Sequence, residues 1–165
     1  MAVRLFACAM MGRMRIEAYC DGACSGNPGP GAAAALLLAY EGATLIKERE
    51  LVSPVEPNTT NQRQELLAAI MALEALSKPG VEITMFCDSK YVIDGITSWV
   101  KGWKRNGWVN SKKEPVANRE LWERLDQAVQ RHRVTWQWVK GHAGNVYNDR
   151  VDQLAVKAVH AFRQS

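Results

Sequence analysis

Two apolar segments of this chain end alike. One begins at Arg15 and closes on "YCDG", setting Asp21 behind Cys20; the other, "VEITMFCDS", sets Asp88 behind Cys87. From Arg15 to Asp21 the residues alternate. Ile16, Ala18 and Cys20 share one side and Glu17, Tyr19 and Asp21 the other, the period of a strand. "AAAALLLAY" and "ATLIKERELV" flank a Glu41-Gly42 turn and predict a hairpin. The alanines of the first would also suit a helix, but its place between turn signals favours a strand. From Asn61 to Leu76 the period becomes helical, with Leu66, Ile70 and Leu73 in one stripe. Asn61 is the expected cap, Gln64 completes a capping box, and "KPG" ends the helix. After Asp88 come a helical stretch through Trp103, a basic loop, a helix around Asn118 to Arg131, the strand "VTWQWV", the loop "KGHAGN" and a final helix. Strands followed by alternating helix and strand specify an α/β chain with a five-stranded mixed sheet flanked by helices. Right-handed crossovers place the first, fourth and fifth strands parallel and adjacent. Asp21 and Asp88 then share one carboxyl edge, where open α/β sheets hold their sites.

With 165 residues, 47% of them hydrophobic and 23% charged, the chain suits one globular domain. No apolar run is long enough to cross a bilayer. Residues 1–13, "MAVRLFACAMMGR", read as a loosely ordered extension rather than a signal peptide, because the apolar run is short and no small-residue cleavage site follows. Residues 14–165 are the expected domain. The four cysteines, Cys8, Cys20, Cys24 and Cys87, form no CxxC pair, which argues against zinc or a disulfide framework and suits a reducing cytoplasm. The net charge of +4 is unevenly spread. Lys101, Lys104, Arg105, Lys112 and Lys113 lie in a window without an acid, giving +5 there and −1 elsewhere. Such a patch on a nearly neutral body points to a polyanionic partner.

Two further acids join the first pair. Glu65 aligns with Ala68, Ala69 and Ala72, small residues that permit close approach to a sheet. Asp152 aligns with Ala155, Val156 and Val159, an inward position that is costly unless paired. Four converging carboxylates repel one another unless cations lie between them. Oxygen ligands suit Mg2+, with Mn2+ as a substitute, and two such ions serve phosphodiester cleavage.

The segments "DGACSGNPGPG", "TTNQRQELLAAIMALEAL", "CDSKYVIDGITSWVKGWKRNGW", "LWERLDQAV" and "VTWQWVKGHAGNVYNDRVDQLA" resemble the bacterial type 1 ribonucleases H, in order and over nearly all the chain beyond Arg15. The resemblance implies a ribonuclease H-like fold and Mg2+-dependent cleavage of the RNA strand of RNA–DNA hybrids by a monomer, leaving 5′-phosphate and 3′-hydroxyl ends. It places the metal carboxylates at Asp21, Glu65, Asp88 and Asp152, and a mobile catalytic histidine at His142 between Gly141 and Gly144. It places Asn27, Asn61 and Gln62 in the minor groove, where a 2′-hydroxyl tells RNA from DNA. Thr60 and Asn118 match positions that hold a DNA-strand phosphate. Trp99, Lys101, Trp103, Lys104 and Arg105 match the family's basic protrusion, with Trp108 beside them, while Trp122, Trp136 and Trp138 are assigned to the core. The chain departs from the pattern at Asn58, where some relatives have arginine, in "NVYND", and at the nucleic-acid contact Lys90, where glutamine is common. Two rivals, a hybrid-binding module without cleavage and a DNA-cutting nuclease of the same fold, fit less well: the first against four intact acids, the second against the protrusion and "KGHAGN".

Overall fold

A computed structural model describes residues 14–165; the extension expected at 1–13 lies outside the described residues. Strand β1 (Met14–Cys24) is central. It pairs antiparallel with β2 (Gly29–Glu41), which pairs with β3 (Thr44–Val52), and parallel with β5 (Glu82–Cys87), which pairs in parallel with β6 (Arg133–Trp138). The expected hairpin and parallel trio are both present. A sixth strand, β4 (Glu56–Thr59), joins the start of β2, pairing Gly29 with Thr59 and Gly31 with Glu56. Its sequence, EPNT, has no alternation and contains a proline, so nothing in its pattern marks it as a strand.

The sheet buries two faces. Ile16, Ala18 and Cys20 of β1, with Ile83, Met85 and Cys87 of β5, meet α1 (Asn61–Glu74) through Leu66, Ala69, Ile70 and Leu73. Helix α4 (Arg119–Gln130) packs against α1 on this side. On the other face Tyr19, Leu36 and Leu38 meet Val151 and Ala155 of α5 (Val146–Gln164). Burying side chains of this size contributes about 1.5–3 kcal/mol each. Among the described residues no helix is long and apolar enough to cross a membrane.

Between β5 and α4 the chain forms α2 (Lys90–Asp94), a π-helical turn (Gly95–Trp99) and α3 (Val100–Asn106). Trp122, fully buried on α4, lies against Gly95; a Cβ there would stand 2.0 Å from the indole Cη2. The absent side chain lets this ring lock α4 onto the π turn. Of the tryptophans assigned to the core, Trp122 belongs there and Trp136 packs against it. Trp138 does not: it ends edge strand β6 and is 42% exposed.

Candidate functional site

Asp21 is not the last residue of its strand. Pairing with β2 runs on to Cys24, whereas the parallel ladder with β5 stops at Cys20 and Cys87. Asp21 and Asp88 are therefore the first residues past that ladder, side by side where the two strands diverge. Gly22 brings in the third acid. A Cβ on Gly22 would stand 2.6 Å from the Glu65 backbone nitrogen, so only glycine lets the first turn of α1 lie this close to β1. One carboxylate oxygen from each of Asp21, Glu65 and Asp88 lies within 4.8 Å of the others. Asp152 approaches from α5, near enough to Asp21 and Asp88 to raise both by its charge.

The electrostatics follow from this crowding. Burial, then the charges of Asp88 and Asp152, push Asp21 up to about 8, against the pull of the Gly22 N–H that donates to its Oδ1 at 2.8 Å. Burial and Asp88 raise Glu65, while hydrogen bonds from Ser89 and Asn61 lower it; the Asn61 amide donates to Oε1 at 2.9 Å. Burial and Asp152 raise Asp88, with Asn148 and His142 opposing them. None of the ion pairs among the described residues brings a lysine or arginine to these acids. An all-oxygen cluster that repels itself, with no lysine or arginine paired to it among the described residues, suits a hard divalent ion.

The other residues of interest surround the cluster. His142 is exposed, with a left-handed φ of 54°, and Gly141 lies against Asp88, where a Cβ would come 3.0 Å from Oδ2. Asn27 and Gln62 are exposed, and Asn27 Oδ1 accepts from the Asn61 N–H at 3.1 Å, joining the β1–β2 loop to α1. Thr60, not Asn61, caps α1, accepting from the Arg63 N–H at 3.2 Å. Gln64 closes no capping box; it is buried and donates to Thr59 Oγ1. Asn118 precedes α4 with φ 60° and donates to the Tyr91 hydroxyl at 3.4 Å.

The basic segment divides into packing and exposed groups. Trp103 packs at tilted and edge-on angles among Trp99, Trp108 and Trp122, with Trp108 buried and Trp99 40% exposed. Lys104 is held by Asp126 at 2.9 Å, while Lys101 and Arg105 are exposed without an ion pair among the described residues. Two residues near the acids, Trp138 and Asn148, escaped sequence reasoning. Trp138 donates from Nε1 to the Asp88 carbonyl at 3.1 Å, and the Lys90 ammonium stands 4.8 Å from its ring centre. Asn148 is buried, and its amide lowers Asp88. Its signal was available, since it lies one helical turn before Asp152 on the same face.

The mixed sheet with a carboxylate cluster at its parallel edge defines the class: a metal-dependent nuclease of the ribonuclease H-like fold. The chain belongs to the RNase H family, whose model matches residues 13–160. It is 60% identical over 146 residues to a ribonuclease H of Roseobacter denitrificans, covering 88% of this chain and 96% of that protein. It is 57% identical over 148 residues to a ribonuclease H of Cereibacter sphaeroides, covering 90% and 97% respectively. Among solved structures it resembles LC9-RNase H1, a type 1 RNase H with the type 2 active-site motif, with TM-score 0.79 and 33% identity over 89% of this chain and 72% of that one. The expected family, fold class and hydrolase identity are met.

Proposed function

We propose that this chain is a monomeric cytoplasmic endoribonuclease that hydrolyses the RNA strand of RNA–DNA hybrids, with residues 14–165 as its single catalytic domain. The observation that carries this reading is the convergence of Asp21, Glu65 and Asp88, with no lysine or arginine paired to them among the described residues, at the edge where β1 and β5 diverge. Asp21, Glu65, Asp88 and Asp152 would hold Mg2+, or Mn2+ in its place, as two ions once substrate is bound. Such ions would supply an activated water and charge stabilisation at the leaving oxygen.

The remaining work falls to the chain's own groups. Asn27, Asn61 and Gln62 read 2′-hydroxyls in the minor groove, and the Asn61 contact to Glu65 couples that reading to the acids. Thr60, Asn118 and Lys90, with Trp99, Trp103, Lys101, Lys104 and Arg105, hold the DNA strand and fix the register. A water gives up one proton as its oxygen forms the new bond to phosphorus, the P–O3′ bond breaks, and the departing 3′-oxygen takes up one proton, so that one water is consumed in all. That division leaves 5′-phosphate and 3′-hydroxyl ends. His142, exposed and close enough to Asp88 to lower its pKa, is placed to exchange that proton. The test compares end-labelled hybrid, duplex RNA and duplex DNA in Mg2+ and in EDTA. Cleavage of the RNA strand of the hybrid alone, and only with metal, is expected; equal cutting of duplex DNA, or binding without cleavage, overturns the reading.

A further inference from the structure

A cavity of about 160 Å³ opens between the end of β1 and the last turns of α5, lined by Cys24, Ser25, Val156, Val159, His160 and Arg163. Its lining includes no carboxylate. Arg163 Nη1 donates to Ser25 Oγ at 2.7 Å, and Arg163 makes no ion pair among the described residues. A guanidinium held in place by a hydroxyl with donors to spare, beside an imidazole whose Nε2 meets Gln164 Nε2 at 3.1 Å and leaves Nδ1 over, has the donor chemistry that suits a phosphate.

The position of the cavity selects which phosphate. Ser25 lies four residues past Asp21, about 13 Å along the chain at strand spacing. Arg163 lies eleven residues past Asp152, about 16 Å along α5. Both routes start at the carboxylates and end at the same pocket, and Asn27 follows Ser25 by two residues. Of the proposed contacts, the one nearest the pocket along the chain is Asn27, a reader of the RNA strand, whereas the DNA-strand contacts Thr60 and Asn118 stand at the starts of α1 and α4. We propose that Arg163 and Ser25, with His160, form a subsite for a backbone phosphate of the RNA strand, displaced from the cleaved linkage. This rests on the hybrid-cleaving reading above, and extends the grip on the cleaved strand beyond the acids.

The experiment uses the full chain carrying Asp88→Asn to prevent turnover, with and without Arg163→Gln. Glutamine keeps a donor for Ser25 and removes the charge, and α5 is exposed at this position, so folding is retained. Affinity is measured for hybrids in which single linkages, scanned along each strand in turn, are made neutral as methylphosphonates. Arg163→Gln is expected to weaken binding about fivefold, the scale of one exposed charge-assisted contact. The slope of log K against log salt should fall by about 0.9. One neutral RNA linkage should weaken the Arg163 protein by a similar factor and leave the Arg163→Gln protein unaffected, and Arg163→Lys should restore most of the affinity. Unchanged affinity and slope, losses that are additive at every RNA linkage, or a DNA-strand linkage whose effect disappears in the Arg163→Gln protein would each overturn the subsite. Cleavage of the unmodified hybrid by the wild-type chain is read in parallel. Its failure removes the enzymatic reading, whereas cleavage with no Arg163 effect removes the subsite alone.

Discussion

Replacing Asp21 with asparagine is expected to stabilise the metal-free protein while abolishing hydrolysis. Burial and the facing charges of Asp88 and Asp152 carry Asp21 from 3.8 up to about 8. Below about pH 4 the group is protonated in folded and unfolded chains alike, and no penalty arises. Between about 4 and 8 the folded chain keeps a proton that the unfolded chain has released. Stability therefore falls as pH rises through that window and levels off above it. At about pH 7 the ceiling on the penalty is about 4 kcal/mol, the interval from 3.8 to 7 at about 1.4 kcal/mol per pH unit. Relaxation of solvent and neighbouring side chains lowers the penalty below that ceiling, to on the order of 2 kcal/mol. Asparagine retains the volume and the Oδ1 that accepts from Gly22 at 2.8 Å, so little packing is lost. A chain of this size should gain about 4–8 °C in melting temperature. The assay is thermal denaturation of both proteins in EDTA at several pH values, repeated with saturating Mg2+. The variant's advantage should grow from about pH 5 to about pH 8 and shrink or reverse with Mg2+, which stabilises the wild type more. A variant that melts below the wild type in EDTA at about pH 7, or whose advantage ignores pH, would refute the electrostatic account.

Gly22→Ala should cost about 1–3 kcal/mol by overpacking and reduce kcat severely, because α1 must retreat from β1 and take Glu65 with it; denaturant melts and single-turnover rates would show both losses. His142→Ala should lower kcat while leaving hybrid affinity and melting temperature nearly unchanged, a smaller defect than that of Asp21→Asn; equal loss in the two would contradict a proton-exchange role. Replacing Lys101 and Arg105 with glutamine should flatten the salt dependence of hybrid binding by at most about 1.8, two phosphate contacts, and Lys104→Gln should add less because Asp126 already holds that ammonium. A salt series with the inactive Asp88→Asn protein checks this, and an unchanged slope would reduce the patch to a solvated face.

What the sequence revealed of the site is what periodicity can carry. Alternation assigned Asp21 to the same side of its strand as Tyr19, and that side faces α5 and Asp152. The alanines beside Glu65 marked the face of α1 that meets the sheet, and all three are fully buried. What it hid depended on distant partners. Asn61 is the better cap by residue type, yet Thr60 takes the role while the Asn61 amide turns to Glu65 and its N–H to Asn27. Trp138 reads as a core residue in "VTWQWV", since an alternating edge strand does not announce which end runs out beyond its covering helices. Its exposed ring rests instead on Lys90 and the Asp88 carbonyl. The contact between Ser25 and Arg163, across 138 residues, leaves no local pattern at all. The same asymmetry explains why the acids were legible and the surfaces around them less so. A carboxylate placed against its own electrostatic interest stands out in any sequence, because folding alone would not retain it there. A cation or amide that meets its substrate in solvent violates no rule of folding, and only its neighbours in the structure distinguish it from an ordinary surface group.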